Sequence, residues 1–355
     1  MSAAVQPLPL PARIRAFVRL GRPKFLFQSL LVVGAAVAVS ILDGHPFAPG
    51  WYAVALAFAW CGHLMTHYCN EFFDLDADRA NQHPTSWTGG SRVLVDGLLT
   101  PLTSLGAAFV LLVAEIALLV AMPTTAARAT GAAIIALAWF YTAPPASLNY
   151  RAVGELTCGV VVYGLVPLLS TLLQGPRPSA ALLVCAGVLA AQGTLRMLVM
   201  NLADIEGDRE VGKLTWAGAM GPHGTVIAYG VGQLLCYATL VAALATGVLP
   251  PAITVALLAV APAPAWVALQ LARGRITDLR AATAITFWAS MQMALGSTAV
   301  LIGATAQSLY DGRNLPVSWL LVVGATLAAF GAWLVRTAGR AGAEKHPRPA
   351  HLPAP

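Results

Sequence analysis

Ten apolar stretches, each long enough to cross a lipid bilayer, dominate the sequence. A transmembrane helix needs roughly 17–25 predominantly apolar residues. Backbone groups in lipid must find their hydrogen-bond partners within the segment, so these stretches predict α-helices, and the absence of strict alternation excludes an outer-membrane barrel. The predicted spans are 25–42, 51–69, 102–122, 127–143, 153–174, 180–200, 223–247, 250–272, 283–306 and 317–336.

Charged residues are scarce between and within these stretches. Lys, Arg, Asp and Glu make up 10% of the 355 residues and apolar residues 58%, whereas a soluble globular domain carries about 25% charged residues. This composition excludes a cytosolic globular enzyme, a disordered regulator and a nucleic-acid binder that uses a basic patch. It predicts an all-α integral membrane protein whose surroundings are the lipid bilayer, with no nucleic-acid partner and no obligate protein partner evident.

The basic residues predict how the chain is oriented. If the N-terminus is cytoplasmic, the segments on that side hold 17 Lys and Arg, and the opposite side holds three, Arg128, Arg177 and Arg313. Because cytoplasmic loops carry the excess of basic residues, we expect a cell-membrane protein with both termini in the cytoplasm. Residues 1–12 and 339–355 are predicted to be disordered tails on either side of a single transmembrane domain, 13–338.

Acidic residues fall into two clusters at equivalent places. Eight of the fifteen acids lie in 71–78 and 204–210, directly after the second and the sixth spans, which predicts two parallel four-helix pseudo-repeats followed by C-terminal helices. At about 100° per residue, the side chains of each cluster share one helix face, and a polar face on a membrane helix turns toward a cavity or another helix. These faces comprise His63, His67, Asn70, Asp74 and Asp78 in the first cluster and Asn201, Asp204 and Asp208 in the second.

The side chains of the two faces indicate a metal and phosphate site. Carboxylates that face one cavity repel each other unless a cation joins them, and a set of oxygen ligands suits Mg²⁺, or Mn²⁺, better than Zn²⁺. Two such clusters facing each other predict a diphosphate clamp, because Mg²⁺ usually completes its shell with substrate phosphates. Nearby basic residues are predicted to take the remaining phosphate charge: Lys24, Arg79, Arg151, Arg209 and Lys213. The alternative is that the acids form solvated helix ends paired with arginines, which two clusters at matched positions disfavour.

These residues resemble the UbiA superfamily of intramembrane prenyltransferases. The motifs that match are Asn70-x-x-x-Asp74-x-x-x-Asp78, Asn201-x-x-Asp204-x-x-x-Asp208 followed by Gly212-Lys213-x-Thr215, Arg22-Pro23-Lys24, Gly89-Gly90-Ser91-Arg92 and Tyr141-Thr-Ala-Pro144-Pro145. The Arg-Pro-Lys start, the Tyr-Thr-x-x-Pro turn and the second acidic motif are similar to the branch that prenylates dihydroxynaphthoate for menaquinone. The sequence departs from the family in its tenth span, 317–336, which looks like an addition to the usual nine.

The resemblance implies a UbiA-like bundle of nine to ten transmembrane helices around a central cavity, with the Asp-rich motifs on the cytoplasmic side. It implies a Mg²⁺-dependent enzyme that moves an isoprenyl group from an allylic diphosphate to an aromatic acceptor, in quinone or meroterpenoid biosynthesis. Asp74, Asp78, Asp204 and Asp208 would be the catalytic metal ligands, with Asn70 and Asn201 completing the metal site. Two alternatives stay open: a membrane terpene cyclase with the same ionisation chemistry, and a transporter, which the position of the acids at helix ends disfavours.

Four further residues are expected near the acceptor: His63, His67, Tyr141 and Glu155. Either histidine is suited to accept the acceptor's proton or to orient its hydroxyl, and the alternative is a hydrogen-bonded core histidine. Glu155 either positions the acceptor or pairs with Arg151. Two charged residues lie within spans: Glu115, for which the sequence identifies no partner, and Arg196, which is expected off the face of the second cluster, capping helix carbonyls or pairing with an acid.

Overall fold

The computed structural model describes residues 8–81, 84–85 and 87–341, and this part of the chain is almost entirely helical. The few residues between helices form turns, short 3₁₀ segments and one isolated bridge between Arg151 and Leu214. In chain order the α-helices are α1 (Leu10–Leu20), α2 (Leu26–Leu42), α3 (Pro49–Phe73), α4 (Leu75–Ala80), α5 (Pro101–Ala121), α6 (Thr125–Trp139), α7 (Gly154–Val160), α8 (Val166–Gln174), α9 (Ala180–Glu210), α10 (Trp216–Ala245), α11 (Pro251–Leu258), α12 (Pro262–Ala272), α13 (Leu279–Tyr310) and α14 (Val317–Ala341).

The described residues contain eight helical segments that are long and apolar enough to cross a membrane. The predicted all-helical membrane fold is therefore confirmed. The other two predicted spans also form helices: α6 is an apolar helix of 15 residues, and α3 has 25 residues, among them the polar face of the first cluster. The segments with this length and composition are Pro23–Leu42, Pro101–Ala121, Gly154–Gln174, Ala180–Ile205, Trp216–Ala245, Pro251–Ala272, Leu279–Tyr310 and Val317–Ala338.

The helices divide into an inner and an outer set. In the most apolar window of α2, 83% of the residues are buried inside the protein, whereas the figure for α5 is 17%. Helices α9 and α13 resemble α2 in this respect, and α10 to α12 and α14 resemble α5. The exposed side chains of α5 are apolar, including Phe109, Val110 and Val113, as expected for a surface that contacts lipid tails. Of the inner set, α2 and α9 line a cavity, together with residues of α3, α6 and α7.

Small residues let the inner helices approach closely. A Cβ atom added at Gly159 of α7 would lie 2.4 Å from the carbonyl oxygen of Ala190 in α9, and one added at Gly193 would lie 2.6 Å from the ring of Tyr163. Between α7 and α8, residues Val161–Leu165 form a turn of π-helix, a local widening that is often found at functional sites. Close contact fixes the position of α9 relative to the wall of the cavity.

Both ends of the described chain differ from the sequence-based expectation. Helix α1 begins at Leu10, inside the tail predicted at 1–12, and α14 continues to Ala341, past the predicted start of the second tail at 339. The remaining tail residues, 1–7 and 342–355, lie outside the described residues. In α1, Leu10, Ile14 and Phe17 share one face and Arg15 and Arg19 lie on the other, a pattern that suits a helix lying along a membrane surface.

Candidate active site

One cavity opens between the inner helices at the end of the bundle where α3 and α9 terminate. Its walls enclose about 1390 Å³ of space, the open mouth included. The deep part is lined by apolar side chains such as Phe58, Ile134 and Val162, and the mouth by carboxylates and amides. Its lining therefore suits a molecule with an apolar tail and a polar head, and an anionic head would need Arg22, Lys213 or a bound cation to offset the carboxylates.

The first acidic cluster lines this cavity as a single stripe. Helix α3 ends at Phe73, Asp74 follows it as the C-cap, and the short helix α4 carries the stripe onward. The lining residues from this stripe are the five predicted ones: His63, His67, Asn70, Asp74 and Asp78. Asp76 points away and is 85% exposed, forming a surface ion pair with Arg79.

The second cluster lies at the end of α9, a helix of 31 residues that is longer than a membrane crossing requires. Asn201 and Asp204 line the cavity. Asp208 does not, but its Oδ1 lies 3.2 Å from the ammonium of Lys213, whose Nζ is also 3.6 Å from Oδ2 of Asp74. Lys213 thus joins the two clusters through one cation.

A second contact between the clusters runs through Asn81. Its amide nitrogen donates to Oδ1 of Asp204 at 2.8 Å, and its backbone lies so close to Gly207 that a Cβ there would be 3.1 Å from the Cα of Asn81. A glycine between the two carboxylates of the second cluster therefore allows α4 to pack directly on α9. The structure thus brings together the two clusters that follow the second and the sixth predicted spans.

Burial and charge set the protonation of this site. Burial raises the pKa of the Asp78 carboxyl to about 7, although the nearby Arg22 lowers it. Burial also raises the pKa of Asp208, against the opposing effect of Lys213. Burial lowers the pKa of Lys213, but the facing carboxylates of Asp74 and Asp208 outweigh burial and hold that pKa well above its ordinary value. Lys213 is therefore a fixed positive charge among acids that a bound cation would deprotonate.

Asparagine amides orient the carboxylates. Asn70 donates to Oδ2 of Asp74 at 2.6 Å, and Asn149 donates to both oxygens of the same carboxylate at 3.1 and 3.2 Å. Asn201 donates its amide nitrogen to Oε1 of Glu155 at 2.9 Å, so its carbonyl oxygen is the atom left for a ligand in the cavity. Sequence reasoning did not identify Asn149, which follows the Tyr-Thr-x-x-Pro turn and carries no charge that would distinguish it.

Arg22 is a further cavity residue that the motif analysis did not assign to the site. It has a positive φ of 49° and donates from Nε to Oε1 of Glu71 at 2.7 Å. The same carboxylate accepts the backbone N–H and the hydroxyl of Ser91, each at 2.7 Å. Glu71 therefore points away from the cavity, as its place on the helix predicts, and ties the start of α2 to the glycine-rich loop.

The basic residues predicted to bind phosphate separate into two groups. Lys213 lines the cavity, and Nζ of Lys24 lies 4.7 Å from the ring centroid of Trp87, a lining residue. The other three lie outside the lining and bond to the protein: Arg79 to Asp76, Arg151 to the carbonyl of Pro145, and Arg209 to the carbonyl of Gly218. All three of these arginines are exposed.

The deeper polar residues have well-defined partners. Nδ1 of His67 lies 2.8 Å from the carbonyl oxygen of Gly21, which can only accept, so Nδ1 carries the proton and Nε2 of the neutral ring is free to accept one. Nδ1 of His63 lies 2.8 Å from the hydroxyl of Ser29, and the two histidine rings are 4.6 Å apart. Both rings and Tyr141 line the cavity, beside the start of α2.

Two expectations for charged residues are wrong. Glu155 does not pair with Arg151; it accepts from Asn201 and from the backbone N–H of Trp216 at 2.8 Å, because it sits in the first turn of α7 facing α9 and α10. Within the part of the chain that the structure describes, Arg196 neither caps a carbonyl nor pairs with an acid. Its Nε donates to the hydroxyl of Ser290 at 3.2 Å, and its long side chain reaches around α9 to line the cavity. Glu115 is fully buried, and neither of its oxygens has a hydrogen-bond partner among the described residues.

The residues at the mouth fit a divalent cation bound together with phosphate. No group of three or more His, Cys, Asp or Glu side chains in the described part of the chain is arranged to hold a metal by itself. Mg²⁺ needs only one or two carboxylates when phosphates and water supply the rest. Among the residues that the structure describes, Oδ2 of Asp208 and Oδ1 of Asn149 are buried without a hydrogen-bond partner, and such oxygens are suitable ligands. The donor set is oxygen only, as Mg²⁺ prefers.

Comparisons with known proteins agree with this geometry. The chain matches the UbiA prenyltransferase family over residues 31–295. A UbiA homologue from Archaeoglobus fulgidus, solved with DMAPP and Mg²⁺, has a TM-score of 0.56 at 14% identity, covering 80% of this chain and 98% of that chain. A UbiA homologue from Aeropyrum pernix K1 has a TM-score of 0.55 at 18% identity, covering 82% and 98%.

A structure concerned with digeranylgeranylglyceryl phosphate synthase in membranes has a TM-score of 0.56 at 13% identity, covering 83% of this chain and 99% of that chain. No curated protein sequence matches the chain significantly. At these identities the solved structures establish the shared fold. They also leave about a fifth of this chain without a counterpart.

Proposed function

Because the chain belongs to the UbiA prenyltransferase family, we propose that it transfers an isoprenyl group from an allylic diphosphate to an aromatic acceptor, with Mg²⁺ at the diphosphate. The observation that carries the proposal is the junction of two acidic clusters at one cavity mouth, with Lys213 between Asp74 and Asp208. The solved homologue that contains DMAPP and Mg²⁺ supports the choice of donor and ion.

The residues at the mouth hold the diphosphate. Lys213 donates to its oxygens, and Asp74, Asp78, Asp204 and Asp208, with the carbonyl oxygens of Asn70 and Asn201, would hold the ion. When bound, Mg²⁺ offsets the negative charge that develops on the leaving diphosphate. Arg22, held by Glu71, adds a second fixed positive charge beside Asp78.

The apolar depth of the cavity receives the isoprenoid chain and protects the reaction from water. The allylic C–O bond breaks and its electron pair leaves with the diphosphate. The resulting cation is attacked by an electron-rich ring carbon of the acceptor, forming a C–C bond. The ring then loses the proton from that carbon, and Nε2 of His67 is the base that the hydrogen bond to Gly21 leaves available.

The acceptor that we propose is a quinone precursor of the dihydroxynaphthoate type, on the strength of the motifs shared with that branch of the family. The cavity mouth is proposed to face the cytoplasm, where the diphosphate is soluble. The excess of basic residues on that side supports this orientation. Lys24 is proposed as an additional phosphate contact, since it lies beside Trp87 at the rim.

The direct experiment uses the purified protein in detergent with Mg²⁺ and geranylgeranyl or longer diphosphates. Dihydroxynaphthoate, hydroxybenzoate or no acceptor is added, and pyrophosphate and prenylated products are measured. We expect D74A and D208A each to lower product formation by about 100-fold or more, because each removes a charge that stabilises the transition state. The matched control is D76A, an exposed acid of the same motif, which should retain wild-type turnover.

Each outcome decides between functions. A prenylated aromatic product that depends on Mg²⁺, Asp74 and Asp208 would support transfer. A cyclised hydrocarbon or alcohol formed with no acceptor would contradict transfer and support the terpene cyclase alternative. Unchanged turnover in both D74A and D208A would show that the two-cluster site is not where ionisation occurs.

A further inference from the structure

Arg196 is a buried cation in the cavity wall, and no step of the reaction proposed above involves it. Its side chain is 7% exposed, in the membrane-crossing part of α9. It donates from Nε to Ser290, lies beside the thiol of Cys158, and its guanidinium carbon is 5.8 Å from the ring centroid of Phe25. None of these groups carries a negative charge.

The other cations of the lining have counterions. Arg22 is paired with Glu71, and Lys213 with Asp74 and Asp208. Among the described residues, no carboxylate forms an ion pair with Arg196. An unpaired charge inside a membrane protein is costly and is retained where it serves a ligand or a pathway. The arrangement therefore indicates that an anion from outside the protein completes this site.

The position of Arg196 argues against a role at the diphosphate. At a rise of 1.5 Å per residue, it lies about 7.5 Å deeper along α9 than Asn201 and about 12 Å deeper than Asp204. The diphosphate is proposed to sit beside those residues, at the mouth. These depths are those of the backbone; a group bound at the guanidinium would lie beside Phe25, inward of the diphosphate and near the reacting end of the isoprenoid chain.

The surroundings of Arg196 suit a flat aromatic molecule. The ring of Phe25 lies 5.7 Å from His67 and 5.5 Å from Trp87, measured between centroids, in edge-on contacts. His67 is in turn 4.6 Å from His63. Cation, aromatic wall and two hydrogen-bonding rings thus follow one another along the same side of the cavity. A planar guanidinium binds a carboxylate through two parallel hydrogen bonds.

We propose that Arg196 binds the carboxylate of an aromatic acceptor, whose ring lies against Phe25 and whose hydroxyl meets the His63–His67 pair. The proposal rests on the transfer function proposed above and names the group of the acceptor that the protein selects. Arg196 is then a specificity-determining residue: it fixes which acceptors bind and which ring carbon faces the allylic cation.

The test uses the full-length protein in detergent and two acceptors that differ only in the carboxylate, dihydroxynaphthoate and dihydroxynaphthalene. Binding of each is measured by calorimetry without donor, and KM for acceptor and donor is measured in turnover. The variants are R196M, which removes the charge and keeps the length, and R196K, which keeps the charge and loses the planar fork. R128M is the matched control, since Arg128 is exposed on α6.

We expect R196M to weaken dihydroxynaphthoate binding by about 30-fold or more, the effect of losing a buried charged partner, and R196K to weaken it less. Binding of dihydroxynaphthalene, the KM for the donor and the behaviour of R128M should stay within twofold of wild type. R196M is expected to fold, because removing an unpaired buried charge relieves a desolvation cost, and a thermal melt of each variant checks this.

The proposal is overturned if R196M and wild type bind the carboxylated acceptor equally, if wild type does not bind it, or if R196M raises the KM for the donor and not for the acceptor. Its failure is distinguishable from failure of the transfer function. Carboxylate binding that depends on Arg196, without any prenylated product, would sustain the site and reject transfer. Prenylation with the same acceptor KM in R196M as in wild type would sustain the transfer function and reject the carboxylate site at Arg196.

Discussion

At the scale of single residues, neighbouring acids of the first cluster have different tasks. Asp74 faces the cavity and is held by Asn70, Asn149 and Lys213. Glu71, three residues earlier, is 2% exposed and faces the opposite way, where it holds Arg22 and Ser91. A helix turns by about 300° over three residues, so the two side chains leave the backbone about 60° apart, enough to separate their partners. Asp74 is therefore placed to bind a ligand, whereas Glu71 stabilises the wall of the cavity.

The pKa of Asp78 leads to a prediction about Mg²⁺. Burial raises this pKa to about 7, so the carboxyl is largely protonated below neutral pH, and a protonated carboxyl does not bind the ion. We expect the Mg²⁺ dissociation constant to rise about tenfold from pH 8 to pH 6, as competition by one proton requires. Calorimetric titration of Mg²⁺ into the protein saturated with an unreactive prenyl thiodiphosphate measures it, and the same titration of the thiodiphosphate alone corrects for its own protonation.

The exposed Asp76 provides the control for this experiment. D76N should reproduce the wild-type pH dependence, whereas D78N should bind Mg²⁺ weakly at every pH. A Mg²⁺ affinity of the wild-type protein that stays constant between pH 6 and pH 8 would contradict the assignment of Asp78 as a ligand that must lose its proton.

Sequence spacing predicted which residues of each cluster share a face, and the cavity lining contains seven of those eight side chains. The exception is Asp208, which Lys213 holds at the edge. Spacing could not predict Arg196 in the lining, because its backbone position is off that face and only a long side chain reaches the cavity. Nor could it find Asn149, which bonds to Asp74 across 75 residues of sequence.

At the scale of elements, the glycine-rich loop before α5 acts as one wall of the mouth. Gly89 and Gly90 both have positive φ, 73° and 74°, and both line the cavity. A Cβ at Gly90 would lie 2.0 Å from Oδ2 of Asp78. The loop is thus packed against the carboxylate, and Glu71 anchors its next residue, Ser91. Close approach of backbone to carboxylate is what requires glycine here.

We predict that G90A lowers kcat/KM for the diphosphate by about tenfold or more, because the added methyl group displaces Asp78 and a misplaced catalytic group costs rate. The matched control is G247A. Gly247 has a φ of 71° but open space around it, so it shares the backbone strain without the collision. Both variants should lose about 1–2 kcal/mol of stability, measured by denaturation, and steady-state kinetics should separate them. Equal kinetics in G90A and wild type would reject the loop as a wall of the site.

The helices themselves were largely predictable, because length and apolar composition determine what can cross a bilayer. Their ends were less so. Helix α9 runs ten residues past its predicted end at 200. Its polar end is stabilised by contacts within the protein, from Asn81 to Asp204 and from Lys213 to Asp208. The predicted span 250–272 is divided between α11 and α12, with Pro262 at the start of the second piece.

At the scale of the whole molecule, α14 stands apart from the cavity. It packs on the inner bundle through Trp319, which is fully buried and lies 5.2 Å from Phe47, and through contacts of Phe330 and Trp333 with Phe27. No described residue of α14 lines the cavity. The solved homologues are matched over 98–99% of their length, and α14 lies beyond the matched family region that ends at 295. The helix therefore covers the back of α2 and supports the site only through packing.

The distribution of basic residues makes a prediction about the orientation of the whole bundle. The end with the acidic clusters carries most of the Lys and Arg, and the opposite end carries Arg313 next to Asp311. Asp76 and Asp311 are both exposed, at opposite ends of the bundle. In intact cells a membrane-impermeant maleimide should label D311C and leave D76C unlabelled, and in inverted vesicles the pattern should reverse. The unsubstituted protein controls for labelling of the five native cysteines. Labelling of D76C from outside the cell would reject a cytoplasmic active site, because the mouth of the cavity would then face away from a diphosphate dissolved in the cytoplasm.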